Sequence, residues 1–185
     1  MVMAGLGSTL RIGDLTIGTD KFGHFFDTGH VYFQRAYRQG GGEEAGMMYG
    51  ERTERGIYGI MTTGVFSYAD LVANYNGMNF WKNLTDKYNE DPSKIYFKCE
   101  EGQWKQVRVF DWKDYVDAGW DEGINCSRFK TKLMTKNVAA LIEKSTEGVE
   151  GESRTCPLQR EKCEAIKVKY GEKSARLISP KCSDE

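Results

Sequence analysis

The strongest constraint on the fold is a run of aromatic residues at helical spacing between residues 20 and 38. Asp20 is a typical helix start. Aromatic residues then recur every three or four positions and share one face of a helix: Phe22, Phe25, Phe26, Tyr32, Phe33 and Tyr37. Three successive glycines, residues 40–42, end this helix. Because such a face must be buried, the pattern predicts a packed helical domain.

Three further segments carry a helical pattern. An amphipathic helix is predicted from Asp70 to Leu84, and another opens at Asp111. A fourth is predicted over residues 128–144. The side chains expected inside are Tyr115, Val116 and Trp120 in the third helix and Leu133, Val138, Leu141 and Ile142 in the fourth.

Strand signals are short and scattered. Residues 8–18 alternate weakly and predict a hairpin or an extended arm. Residues 95–97 and 106–110 predict two strands, while residues 57–68 fit a small hairpin or an irregular loop. The expected fold class is therefore mainly α with a small β element (α+β).

The chain has 185 residues, a normal length for one domain. We expect a single domain over residues 1–185. Within it, residues 145–185 are poor in large apolar side chains and are expected to form a peripheral C-terminal extension that contains cysteines.

The five cysteines are all in the second half of the chain, at positions 99, 126, 156, 163 and 182. No Cys-x-x-Cys pair occurs, so zinc binding is the weaker alternative. We predict two disulfides and one free thiol, which indicates an oxidising compartment. Residues 1–5 lack the basic and apolar regions of a signal peptide, so a mature or trimmed form is expected. The expected location is periplasmic or secreted.

The net charge is −1, from 26 basic and 27 acidic residues. Nucleic-acid binding normally requires a basic surplus, so this class is not expected. No stretch approaches the ~20 apolar residues of a membrane span. We expect a monomer.

Metal binding is one candidate chemistry. Asp20, His24, Asp27 and His30 follow at i, i+4, i+7 and i+10, roughly one helix face. His24, Asp27 and His30 could ligate a metal in an envelope protein. The alternative is structural, with Asp20 as a helix cap and His24 packed in the core. No cofactor or metal is predicted for the preferred function.

A second candidate is a pair of carboxylates. Glu43, Glu44, Glu51 and Glu54 lie within a dozen residues. Glycan cleavage needs one carboxylic acid to protonate the leaving oxygen and a second carboxylate. In one unbroken helix Glu43 and Glu54 would stand ~16 Å apart, so they can cooperate only if the chain folds back at Gly46 or Gly50. Otherwise the segment is a solvated charged helix with local ion pairs.

The order of elements in residues 20–84 resembles the lysozyme superfamily. Residues 59–62, Gly-Ile-Met-Thr, resemble the Gly-Leu-Met-Gln of lytic transglycosylases, and residues 74–84 resemble the helix that follows it there. Glu44 replaces the usual Ser after the glutamate, which implies a diverged member. The acidic stretch with Glu43 and Glu54, followed by the run at residues 62–71, is similar to lysozymes that predatory bacteria use on deacetylated peptidoglycan.

This resemblance implies a lysozyme-like fold and a hydrolase of peptidoglycan glycan strands, cutting at N-acetylmuramic acid. Glu43 would be the general acid and Glu54 the second carboxylate, or the reverse. The residues expected to line the sugar subsites are Tyr58, Thr62, Thr63, Ser67 and Tyr68. A lytic transglycosylase remains an alternative. So does a non-catalytic wall-binding protein that uses exposed aromatics such as Trp104, Trp112 and Trp120.

Overall fold

The structure is a computed structural model that describes residues 8–145 and 155–182. About 54% of it is helical, with small antiparallel sheets, so the mixed α+β class is confirmed. Within the described ranges, no helix is long and apolar enough to cross a membrane.

Helices form most of the framework. In chain order they are α1 Asp20–Gly23, α2 Gly29–Phe33, α3 Gly42–Arg55, α4 Tyr68–Asn83, α5 Lys132–Ser145, α6 Arg160–Tyr170 and α7 Ser174–Leu177. Two π-helical segments, His24–Thr28 and Gln34–Arg38, follow α1 and α2 without a break. Residues 20–38 are therefore one helical stretch, as the aromatic spacing predicts. Short 3-10 turns occupy Trp112–Asp114, Ala118–Trp120, Gly171–Lys173 and Pro180–Cys182.

The strands form three two-stranded antiparallel pairs. They are β1 Thr9–Ile12 with β2 Leu15–Gly18, β3 Val65–Phe66 with β6 Arg128–Phe129, and β4 Phe97–Glu100 with β5 Gln103–Gln106. The first pair confirms the predicted hairpin, with Thr9 opposite Gly18. Residues 57–68 do not form a hairpin of their own, because only two of them are in a strand and their partner is distant β6.

The core is built around α4, which packs on the first helical stretch. Gly29 and Gly77 meet at this crossing: a Cβ on Gly29 would lie 2.7 Å from the Gly77 Cα, and one on Gly77 would lie 2.0 Å from the Phe25 carbonyl oxygen. The two backbones touch because neither glycine has a side chain. This close approach brings the first turns of both helices together.

Helix α3 is unbroken, although Gly46 and Gly50 weaken its intrinsic propensity. Both glycines pack against Tyr32. A Cβ on Gly50 would lie 1.4 Å from the Tyr32 hydroxyl oxygen, and one on Gly46 would lie 3.2 Å from its Cβ. The glycines are therefore places where Tyr32 fits closely against the helix, and the chain does not fold back there.

Two helix predictions are wrong in part. The helix predicted from Asp111 is replaced by two 3-10 turns, in which Asp111 and Asp117 accept from backbone amides two residues ahead. Local Asp caps of this kind compete with helix continuation. Helix α5 does form, but Leu133 and Leu141 are 67% and 57% exposed rather than inside.

The two disulfides and the free thiol are as predicted: Cys126–Cys156 and Cys163–Cys182, with Cys99 exposed. They are compatible with a secreted or periplasmic protein. The C-terminal segment is not peripheral, however. Its buried side chains join the main core cluster, as Cys163, Ile166, Tyr170, Leu177, Ile178 and Cys182.

Candidate functional site

The most unusual group of side chains lies where α3 ends and α4 begins. Glu54 is the second-last residue of α3 and is only 3% exposed. Ser67 caps α4, because its hydroxyl accepts from the Asp70 amide at 3.1 Å. The Ser67 amide donates to Glu54 Oε2 at 3.4 Å, and the Ser67 hydroxyl donates to Glu122 Oε1 at 3.0 Å. Ser67 thus connects a buried and a half-exposed carboxyl group.

A buried ammonium group holds this cluster together. Lys21 is 1% exposed, and its Nζ lies 2.9 Å from Asp20 Oδ2, 2.5 Å from Asp70 Oδ1 and 2.9 Å from Glu122 Oε1. A buried lysine is costly unless it is paired, and here it has three partners.

His24 extends the network along the helix crossing. Its Nε2 lies 3.2 Å from Asp70 Oδ2, and its Nδ1 lies 3.0 Å from Asn74 Oδ1. The Asn74 amide nitrogen in turn donates to the Tyr32 hydroxyl at 3.2 Å. Because both ring nitrogens of His24 face acceptor oxygens, the geometry favours the doubly protonated imidazolium.

The two buried carboxyl groups, Glu54 and Asp70, have very different pKa values because their surroundings differ. Burial and the nearby negative charge of Asp70 raise the pKa of Glu54 to about 7. Burial also raises the pKa of Asp70, but its bonds to His24 and the charges of His24 and Lys21 outweigh it and hold that pKa at about 2. Glu54 therefore keeps its proton to a much higher pH than Asp70, which is ionised at neutral pH. Such a split is typical of acid–base sites.

The cationic partners shift in the complementary direction. Burial lowers the pKa of His24, but the hydrogen bond and charge of Asp70 exceed this effect, so the net pKa is raised. Burial likewise lowers the pKa of Lys21, and the charges of Asp70, Glu122 and Asp20 raise it further than burial lowers it. The cluster therefore combines a lysine ammonium, a histidine whose pKa is raised and one carboxyl group whose pKa lies near neutral pH.

A cavity of about 760 Å³ opens beside this cluster. Lys21 and Glu122 line it. Glu54 does not line it and is linked to Glu122 through Ser67, which bonds both carboxyl groups. Four carboxylates line it against two basic side chains: Asp14, Asp20, Asp121 and Glu122 against Arg11 and Lys21. A cavity with this lining favours a polar ligand, and a cationic one over an anionic one.

The structure does not bring the predicted catalytic pair together. Glu43 and Glu54 stand at opposite ends of α3, ~16 Å apart along an unbroken helix. Glu43 accepts from Tyr37 and Tyr75 at 2.9 and 3.0 Å, and Lys173 lies 3.4 Å away. Burial raises the pKa of Glu43, but these partners outweigh it and lower the net value. An ionised, fully bonded carboxylate is a poor general acid.

The predicted sugar-binding residues are also mostly occupied. The Thr62 hydroxyl donates to the Ile57 carbonyl at 2.8 Å, and the Thr63 hydroxyl donates to the Gly59 carbonyl at 2.9 Å. Tyr68 is buried against Phe66. Ser67 belongs to the buried cluster described above. Tyr58 is 63% exposed, and Thr62 and Thr63 are exposed as well, although their hydroxyls already bond backbone carbonyls.

The predicted metal set is not assembled either. Asp27 is exposed, and His30 packs on Trp81 with ring centroids 4.5 Å apart. Among the described residues, the group of three that could hold a metal is instead Asp20, His24 and Asp70. The Lys21 ammonium already bonds both of these carboxylates. A metal would have to displace this buried cation, so the donor set does not fit one well.

The three tryptophans of the wall-binding alternative lie in different environments. Trp104 is 64% exposed on β5, Trp120 is fully buried, and Trp112 packs against the aromatic core. They do not form one exposed aromatic surface.

Sequence reasoning missed Lys21, Asp70, Asn74 and Glu122. The available signal was a polar residue inside an apolar stripe: Asn74 stands on α4 among side chains that the helical pattern places in the core. The position of Asp70 at a helix start gives no sequence signal of its pairing with Lys21 and His24.

Comparisons of the chain with known protein families, curated proteins and solved structures found no match. The function is therefore argued from the residues of the site.

Proposed function

We propose that this protein is a lysozyme-like hydrolase of peptidoglycan glycan strands in which Glu54 is the general acid. The observation that carries the proposal is the buried Glu54 carboxyl group, whose pKa is raised to about 7. Glycoside cleavage needs such a group, because a carboxylic acid must remain protonated near neutral pH to donate to the leaving oxygen.

Glu122 is the second carboxylate of the proposal, in place of Glu43. Its side chain is half exposed, borders the cavity, and is bonded to Lys21 and Ser67. Because Ser67 bonds both carboxyl groups, hydrogen bonds of about 3 Å put their oxygens at most about 10 Å apart. An inverting pair stands roughly 6.5–9.5 Å apart, with room for a water molecule.

The proposed substrate must gain access to Glu54, which is nearly covered. The chain directly after Glu54 is a series of turns over residues 56–63, with Ile57, Tyr58 and Met61 exposed. We place the opening at this segment, and Tyr58 offers an aromatic face on which a pyranose ring can stack.

The charges that line the cavity favour a peptidoglycan substrate whose sugars carry free amines. Four carboxylates around one cavity favour a protonated amine over a neutral acetamide. The preferred substrate in the proposal is therefore deacetylated peptidoglycan. The protein would act on it in the periplasm or after secretion.

The test is release of soluble fragments from purified peptidoglycan sacculi, acetylated and deacetylated side by side. We expect wild type to release fragments, faster from the deacetylated wall. Glu54→Gln should lower the rate at least 100-fold, because general acid catalysis contributes roughly 10²–10⁴-fold. Glu122→Gln should also lower it strongly.

Glu43→Gln is the matched control, since it makes the same change on the same helix outside the proposed site. It should retain most of the activity. A fully active Glu54→Gln protein, or a wild type that digests neither wall, would overturn the proposal.

A further inference from the structure

A second cavity, of about 450 Å³, lies along the C-terminal half of α4, away from the Glu54 cluster. Its volume is within the usual range of small-ligand sites. Five basic side chains line it against a single acidic one, Asp114; the basic residues are Lys82, Lys94, Arg108, Lys169 and Lys173.

The floor of this cavity is polar and firmly built. Asn83 is buried and donates to the Tyr115 hydroxyl at 3.3 Å, and its oxygen accepts from buried Asn89 at 2.6 Å. Buried Asn76 donates to the Tyr115 carbonyl and the Tyr170 hydroxyl. These bonds fix the amides in place, so the cavity is preformed.

Four of the five cations each have one acidic partner on the protein side. Lys94 pairs with Asp91, Arg108 with Asp114, Lys169 with Asp117 and Lys173 with Glu43. An ammonium has three donors and a guanidinium has five, so each retains donors for a ligand.

Lys82 is the exception. Within the described part of the chain it makes no ion pair, and its Nζ lies 5.1 Å over the Tyr37 ring centroid. This half-buried ammonium therefore borders the cavity without a carboxylate to neutralise it.

Two other cavities of the protein differ from this one in charge. The one beside Glu43 has three acidic side chains, Glu43, Glu44 and Glu172, against three basic ones, and the cavity beside Glu122 is predominantly acidic. The basic excess is thus a local property of the cavity along α4 and does not arise from the net charge, which is −1.

We propose that this cavity binds a small anion that carries at least two carboxylate or phosphate groups. The cations surround a bonded amide floor, which is the arrangement that charge-assisted hydrogen bonds to such an anion require. The inference does not depend on the hydrolase proposal, because it concerns other residues and a binding readout.

The test is isothermal titration calorimetry of the full chain with citrate and, separately, with pyrophosphate, at constant ionic strength. We expect saturable binding of at least one of them at a single site. Binding of citrate alone would identify a carboxylate ligand, and binding of pyrophosphate alone would identify a phosphate ligand.

Lys82→Gln should weaken this binding roughly tenfold, the effect of one lost charge-assisted contact. The matched control is Lys136→Gln, the same charge change on exposed α5. Thermal denaturation would verify that both variants are folded. The proposal would be overturned if neither citrate nor pyrophosphate bound saturably. It would also be overturned if the two variants weakened binding equally.

Discussion

At Glu54, burial and the charge of Asp70 act in the same direction, and both favour the protonated carboxyl group. At Asp70 the cations Lys21 and His24 reverse the effect of burial. The Ser67 amide donates to the Glu54 carboxyl group, and the Ser67 hydroxyl accepts from the Asp70 backbone amide. These two neighbouring residues therefore keep their carboxyl protons over different pH ranges. The proposed role of Glu54 as general acid rests on its raised pKa, to which the ionised Asp70 contributes.

Glu54→Gln should make the protein more stable at alkaline pH than wild type. The folded protein holds a proton on Glu54 up to about pH 7, whereas the unfolded chain releases it near 4.5. The folded state thus binds more protons between these values, and wild-type stability falls as pH rises through that window. Between pH 4 and pH 8 the variant should gain roughly 3 kcal/mol relative to wild type. Urea denaturation of both proteins at pH 4 and pH 8 measures this, and an equal difference at the two pH values would contradict it.

Asp70→Asn should be strongly destabilising, because it leaves Lys21 and His24 without their shared charged partner. Loss of one partner from a buried ion pair costs about 3–5 kcal/mol. Asp86→Asn is the control on an exposed turn, with an expected change within about 0.5 kcal/mol. Chemical denaturation at pH 7 gives both values, and similar values for the two variants would count against the network.

At the scale of elements, the glycines of α3 mislead propensity-based reasoning. In the sequence, Gly46 and Gly50 suggest a break in the helix. In the structure they make room for Tyr32. The hydroxyl of Tyr32 accepts the hydrogen bond from Asn74, so α3, the first helical stretch and α4 meet at one side chain. Tertiary packing of this kind outweighs a propensity cost of ~1 kcal/mol per glycine.

Gly50→Ala should therefore destabilise the fold by about 2 kcal/mol, since its Cβ would lie 1.4 Å from the Tyr32 hydroxyl oxygen. Gly23→Ala is the matched control: this glycine is also helical but exposed, with no heavy atom within 4 Å of the new Cβ. There alanine should stabilise by about 0.5–1 kcal/mol. Opposite signs in urea denaturation are expected, and a stabilising Gly50→Ala would contradict the packing.

The elements that the sequence predicts well are those with a sustained apolar period. The aromatic stretch at residues 20–38 and the helix α4 are examples, together with the short β1–β2 hairpin. The helix predicted from Asp111 does not form, because the side chains of Asp111 and Asp117 accept hydrogen bonds from local backbone amides and end each turn. Residues 65–66 pair with β6, sixty residues away, and no local pattern contains that pairing.

For the whole molecule, the same difficulty applies to the candidate site. The sequence identifies Glu54 as a candidate. The other side chains of the cluster come from the first helical stretch, α4 and the turn at Glu122. The resemblance in the order of elements points to Glu43, whereas the site is assembled by the Gly29–Gly77 crossing. Side chains with large sequence separation become neighbours only through the tertiary fold.

Reduction of the disulfides should affect the whole molecule, because Cys163 and Cys182 are buried in the core cluster. Closing loops of this length stabilises a domain by about 3 kcal/mol each, so the reduced protein should melt several degrees lower. Cys99→Ser, which changes an exposed thiol, should leave the melting temperature unchanged. Calorimetry with and without reductant measures this, and equal melting temperatures would contradict it.

The central claim is that Glu54 holds its proton at neutral pH, and a carboxyl ¹³C NMR titration tests it most directly. Glu54→Gln assigns the signal by its disappearance. The site described here predicts a midpoint near pH 7, which would fall toward the ordinary value when the protein unfolds. A midpoint near 4.5 in the folded protein would contradict the account.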